Sequence, residues 1–282
     1  MPKKNTFEVP SSIIGTGQFL QLFSSKLASN FALKLFTAPP KFKVPEREEM
    51  MRKSAKNIMV NIAAIEKEVN IYEYGFSKTK ILLVHGWAGR GTQLYEIADK
   101  LLENGMMVIS VDLPSHGLSS GKTTNLIECI ATIEFLNEKF GPFEAAIGHS
   151  FGGMALLASL SKKSFLNKLV TIGIEGSNNK ILDVFVQKLK LKPKVAETMR
   201  KQIKSKFKVH LESLAALTSA KKVKIPTLVV HDTQDKDVDV SSAYKIRQNL
   251  ANGRLIITNG LGHRKILRDH STINKIIDFL KS

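Results

Sequence analysis

The chain has 282 residues and an ordinary apolar fraction of 43%, enough to bury a sizeable core as one main domain with insertions rather than two equal halves. A single cysteine, Cys129, excludes an internal disulfide framework and any multi-cysteine metal site. The net charge of +17 is carried mostly by lysine, but aromatic residues do not interleave with the basic ones as a nucleic-acid platform requires, so the charge reads as a solvated surface and no nucleic-acid partner is expected.

The first 57 residues read as an N-terminal helical extension. From Phe19 to Phe36 the spacing is helical, with Phe19, Phe23, Leu27, Phe31 and Leu35 each four apart. Lys26, Asn30 and Lys34 interrupt the stretch, so it fits no membrane span, and Gly15 to Gln18 dilute it too much for a signal peptide. It is expected to pack on the core or a second copy; a membrane-surface role is not favoured. Ala38-Pro39-Pro40 ends the element, and Glu46 to Asn57 reads as a short charged helix. Asn57 to Tyr74 supplies one or two antiparallel lead-in strands.

Strands and helices then alternate: Lys80 to Val84, a helix over Thr92–Leu102, Met106 to Val111, a helix from Thr124 to Phe140, and the apolar run Phe143 to Ile147. This order predicts an α/β fold, a mostly parallel twisted sheet with helices on both faces. Cys129 falls on the apolar side of the Thr124 helix with Leu126, Ile130 and Ile133, and reads as core.

After Ile147 comes Gly148-His149-Ser150-Phe151-Gly152, followed by the small, apolar, helix-compatible Gly153 to Ala158. A strand, a sharp turn and a helix lift a serine hydroxyl out of the sheet. That hydroxyl needs a base, and the base needs a carboxylate. Ile225 to His231 reads as a buried strand leading into Asp232-Thr233-Gln234-Asp235. Arg254 to Thr258 is another, leading through Asn259-Gly260-Leu261-Gly262 to His263. Both groups stand just past strand C-termini, where parallel sheets place their sites. An oxyanion hole requires converging amides; the loop His85-Gly86-Trp87, after the Leu82 strand, and the residue after Ser150 assign these to Trp87 and Phe151.

Four motifs in order, His85-Gly86-Trp87, Asp112-Leu113-Pro114-Ser115-His116-Gly117-Leu118-Ser119, Gly148 to Gly153, and Gly262-His263, resemble the serine α/β-hydrolases of the esterase, lipase and thioesterase type over residues 58 to 282. The resemblance implies Ser150 as nucleophile, His263 as base and Asp235 as acid. The acid loop is crowded by Asp232, Asp235, Asp237 and Asp239 and lacks the glycine and proline often seen there, so Glu175, past the strand Leu169 to Ile174, is the alternative acid. Relatives insert a cap after the sixth strand; the lysine-rich helical stretch from 176 to 222 is assigned to it, dividing the core into 58–175 and 223–282.

The expected activity is cleavage of a carboxylic ester or thioester of a small molecule through an acyl-serine, without cofactor or metal, in the cytoplasm. An acyltransferase with the same triad, or a hydrolase-fold receptor with little turnover, are the alternatives. His85 and His149 are expected to order loops rather than move protons, and the Asp112 turn to brace the site. His231 with Asp232 and Asp235 lacks a second histidine at ligand spacing and is not read as a metal site. Arg90, three residues past Trp87, either braces its glycine-flanked loop or grips an anionic substrate group, and the lid lysines are either solvated or draw such substrates in. Oligomeric state is not legible.

Overall fold

The computed structural model describes residues 9–282. An eight-stranded sheet runs through it in the order β1-β2-β4-β3-β5-β6-β7-β8. The strands are β1 (Lys56–Ile62), β2 (Lys67–Tyr74), β3 (Lys80–Val84), β4 (Met107–Val111), β5 (Ala145–His149), β6 (Lys168–Ile172), β7 (Thr227–Asp232) and β8 (Gly253–Thr258). Only β2 runs antiparallel to its neighbours β1 and β4; β4 through β8 pair in parallel.

Alternation along the strands sorts side chains onto two faces. Leu82, Val84 and Ala146 meet Cys129, Ile133, Met154 and Leu157, the apolar sides of α5 (Leu126–Phe140) and α6 (Phe151–Leu160). Ile81, Leu83, Ala145 and Ile147 meet Ile97, Leu101, Ile273 and Ile276 of α4 (Tyr95–Glu103) and α12 (His270–Lys281). Cys129 is buried as expected, and burial pushes its thiol up to about 12, which makes it inert.

The N-terminal stretch is two helices, not one. α1 (Ser11–Phe23) and α2 (Ser25–Thr37) are separated by Ser24, whose extended backbone ends α1 and whose side chain accepts the Lys26 amide at 3.1 Å to cap α2. The five-residue stripe expected on one face is therefore divided: Phe31 and Leu35 turn toward protein, while Phe19, Phe23 and Leu27 are exposed. α3 (Glu49–Ser54) leads into β1. Between β6 and β7 lie α7 (Asn178–Lys188), α8 (Pro193–Phe207) and α9 (Ala216–Ala220). Leu182, Val186, Val195 and Met199 from this insertion form a third cluster with Ala28 and Ala32 of α2. α10 (Ser241–Asn249) and the single turn α11 (Gly262–Lys265) complete the chain. No helix among the described residues is long and apolar enough to cross a membrane.

Candidate active site

Ser150 sits between β5 and α6 with φ 49° and ψ −121°, a conformation that costs an L-residue about 1–3 kcal/mol and is kept where the surroundings over-determine it. Those surroundings are close backbone. A Cβ on Gly152 would lie 2.4 Å from the His85 carbonyl and one on Gly148 2.5 Å from Gly153 Cα, so neither position admits a side chain. The Ser150 amide donates to the Ile172 carbonyl of the neighbouring strand at 2.8 Å.

The loop after β3 comes equally near: a Cβ on Gly86 would stand 3.0 Å from Ser150 Cβ. Two buried histidines hold that loop. His85 Nδ1 donates to the Gly86 carbonyl at 2.7 Å while Nε2 accepts the Leu113 amide at 3.0 Å; His116 Nδ1 donates to the Pro114 carbonyl at 3.0 Å and Nε2 accepts the Ala88 amide at 3.1 Å. Each ring uses one nitrogen to donate and one to accept, which only a neutral imidazole can do. Burial lowers their pKa values to about 4 for His85 and about 3 for His116. Asp112 ties in the next loop, accepting from the Gly91 amide at 2.6 Å, the Leu118 amide at 2.9 Å and the Tyr72 hydroxyl at 3.1 Å. The amides of Trp87 and Phe151 donate to no protein acceptor among the described residues. Their two rings meet edge to face, 5.3 Å between centroids.

The other side of the site comes from β7 and β8. His263 Nδ1 donates to Asp235 Oδ2 at 2.7 Å, and the acid's other oxygen accepts the amides of Asp237 and Val238 at 2.8 and 2.9 Å. Burial pushes the Asp235 pKa up, but the His263 hydrogen bond and charge, with the two amides, outweigh it and hold the group below the usual carboxylate range. Glu175 is committed elsewhere: Oε1 accepts from the Gly176 amide and the Ser242 hydroxyl, both at 2.8 Å, and Oε2 pairs with Lys180 at 3.0 Å. Of the two expected carboxylates, Asp235 is the one that meets the imidazole. Among the described residues Ser150 Oγ is not hydrogen-bonded to His263, a contact that in such sites commonly tightens only with substrate.

Two contributors were missed in the sequence, and the loop-ordering role expected of His149 has a specific partner. Asp232 accepts the Leu261 and Gly262 amides at 3.0 and 2.8 Å and the Thr258 hydroxyl at 2.7 Å, so it fixes the loop that carries His263. An aspartate closing a strand, opposite a glycine-rich turn, was the available signal. Gly173, at φ 62°, makes room for the ring: a Cβ there would stand 3.2 Å from His263 Nδ1. His149, expected only to order a loop, donates from Nε2 to the His263 carbonyl at 3.0 Å and packs against its ring at 4.7 Å.

Arg90 has a buried partner. Its guanidinium pairs with Glu48 at 3.1 Å, and that buried carboxylate also accepts the Thr92 hydroxyl at 2.8 Å. With Glu48 only 3% exposed, removing its partner would strand a charge in low dielectric; Arg90 ties the N-terminal extension to the loop after β3. Asp235, Asp237 and His263 place ligand-type atoms within 4.8 Å of one another, and among these His263 Nδ1 and Asp235 Oδ2 are engaged in their mutual hydrogen bond.

The sequence matches the family model of the alpha/beta hydrolase fold over residues 80–221, about half of the chain, and that of the TAP-like proteins over residues 207–282. The human monoacylglycerol lipase ABHD6 is 24% identical over 264 aligned residues, covering 73% of this chain and 76% of that protein. The Pyrococcus furiosus esterase Pf2001 superposes with a TM-score of 0.67 at 18% identity, covering 86% of this chain and 98% of its own. A bromoperoxidase from Bacillus anthracis superposes with a TM-score of 0.63 at 17% identity, covering 80% and 100%. These structural likenesses speak to the fold, which hosts more than one chemistry.

Proposed function

The chain belongs to the alpha/beta hydrolase family, and from that premise we propose that it is a serine hydrolase that cleaves carboxylic esters of small molecules through an acyl-serine intermediate. The observation that carries the reading is the 2.7 Å His263–Asp235 pair, set at the ends of β8 and β7 beside a serine on a strained elbow. The lipase and esterase relatives support the ester as the bond attacked.

Ser150 Oγ attacks the carbonyl carbon as His263 Nε2 takes its proton. Asp235 holds the proton on Nδ1 and stabilises the imidazolium that forms. The carbonyl oxygen gains its charge against the Trp87 and Phe151 amides, donors already in place and costing no reorganisation. His263 then passes its proton to the leaving alkoxide, activates a water against the acyl-serine, and returns the proton to Ser150 as the acid departs. His85, His116 and Asp112 hold the Trp87 loop, and Asp232 and His149 hold His263, so positioning rests on buried hydrogen bonds rather than mobile side chains. Residues 176–222 act as the cap that shapes the acyl pocket.

The test is turnover across a series of esters and thioesters of rising acyl length, wild type against Ser150→Ala. Wild type hydrolyses at least the short activated esters and the variant falls to background; equal rates for the two would refute the assignment.

A further inference from the structure

The α1–α2 hairpin carries an apolar corner that the hydrolytic site does not use. α1 is seated on the α7–α8 turn: a Cβ on Gly17 would lie 3.3 Å from Leu191 and 3.4 Å from Phe31. Gln21 accepts the Lys192 amide at 2.5 Å, and Gln18 donates to the Lys190 carbonyl at 3.5 Å. That seating leaves the far side of α1 open. Phe19, Leu22 and Phe23 fall three and four residues apart, on one helical face, and Leu27 follows in the first turn of α2. They are 60%, 81%, 70% and 49% exposed, and the two phenylalanine rings touch edge to face at 5.0 Å. Four large apolar side chains at one corner form a patch, not scattered exposure.

The segments that carry and seat the patch are strongly basic. Residues 9–45 contain no aspartate or glutamate. The turn on which α1 rests brings exposed Lys188, Lys190, Lys192 and Lys194, and α2 adds exposed Lys26. Across residues 188–208 nine basic side chains face the single acid Glu197. A second copy on this corner would set one lysine collar against another, which opposes association. A bilayer with anionic headgroups meets both features: apolar side chains enter the acyl boundary while ammonium groups stay with the phosphates.

We propose that the Phe19–Leu27 corner and its lysine collar dock the protein on an anionic lipid surface. Because α2 shares its apolar cluster with α7 and α8, docking sets the proposed cap beside the membrane. The proposal does not rest on the ester chemistry, since binding is read without turnover.

The experiment is co-sedimentation of the full chain with vesicles of phosphatidylcholine alone or mixed equally with phosphatidylglycerol, at about 50 mM and about 500 mM salt, where the screening length falls from about 14 to about 4 Å. Wild type partitions to the anionic vesicles at least about tenfold better than to neutral ones, and high salt removes most of the difference. Leu22→Ser/Phe23→Ser cuts partitioning by about tenfold or more. Lys190→Glu/Lys192→Glu cuts it by at least roughly fivefold per position at low salt only. All four sites are exposed, so both variants keep the wild-type melting temperature. Equal partitioning to both vesicle types, no partitioning, or apolar variants that sediment like wild type would each overturn the proposal. So would a lipid-free dimer that Leu22→Ser/Phe23→Ser dissociates, which would assign the corner to a second copy.

Discussion

Replacing Asp235 with asparagine removes a charge and an acceptor, and the structure determines which acceptor is lost. Oδ1 is held by the amides of Asp237 and Val238 at 2.8 and 2.9 Å, so the asparagine carbonyl takes that place and its NH2 takes the position of Oδ2, 2.7 Å from His263 Nδ1. Two donors cannot share that line. The neutral imidazole moves its proton to Nε2, the nitrogen that must accept from Ser150, and the base is lost without a change of shape. A wrong tautomer of this kind lowers kcat by on the order of 10⁴, or about 5 kcal/mol of barrier. The assay is kcat for a short p-nitrophenyl ester at pH 8, with a melting curve to verify that the loop survives. Glu175→Gln serves as the contrast: it alters a carboxylate bonded to Gly176, Ser242 and Lys180 and leaves kcat within roughly threefold. A loss below about tenfold for Asp235→Asn, or an inactive Glu175→Gln with a nearly silent Asp235→Asn, would refute the reasoning.

His149→Ala frees the His263 carbonyl from its 3.0 Å donor, and loosening the ring by a fraction of an ångström lowers kcat by on the order of 10²-fold with little change in KM; a pure KM effect would contradict a positioning role. Stability falls on the acid side of neutrality. His85 and His116 are neutral when folded, with pKa values lowered by burial to about 4 and about 3, so the unfolded chain binds protons that the native one does not. Stability is complete above about pH 6.5 and declines below it by about 1.4 kcal/mol per pH unit for each of the two, until the folded values are reached. Urea midpoints measured from pH 8 to pH 4.5 check this, and a flat profile between pH 8 and pH 5 would contradict it.

The elements and their order were legible because the parallel strands are short apolar runs and the helices carry helical periodicity. Ser24 was not, since a serine in helical spacing reads as part of the helix until its backbone turns aside to cap the next one. The Ser150 and His263 positions could be read from motif order, whereas Asp235 rested on loop position alone beside the alternative Glu175. Choosing Asp235 over Glu175 required the loop geometry, because both stand just past strand ends. The partner of Arg90 was hidden for a related reason: position beside Trp87 says nothing of Glu48, which lies 42 residues earlier and returns through the N-terminal extension to pair with it. Asp232 and Gly173 act across strands, on a ring carried by another loop, and local sequence does not record such contacts.

The central claim is that Ser150 becomes covalently acylated because His263 removes its proton. The direct measurement is reaction with a fluorophosphonate, followed by peptide mass spectrometry of wild type, Ser150→Ala and His263→Ala. Wild type gains one adduct on the peptide containing Ser150, Ser150→Ala gains none, and His263→Ala reacts more slowly by on the order of 10³-fold or more. An adduct on another residue in wild type, or undiminished labelling of Ser150→Ala, would contradict the account.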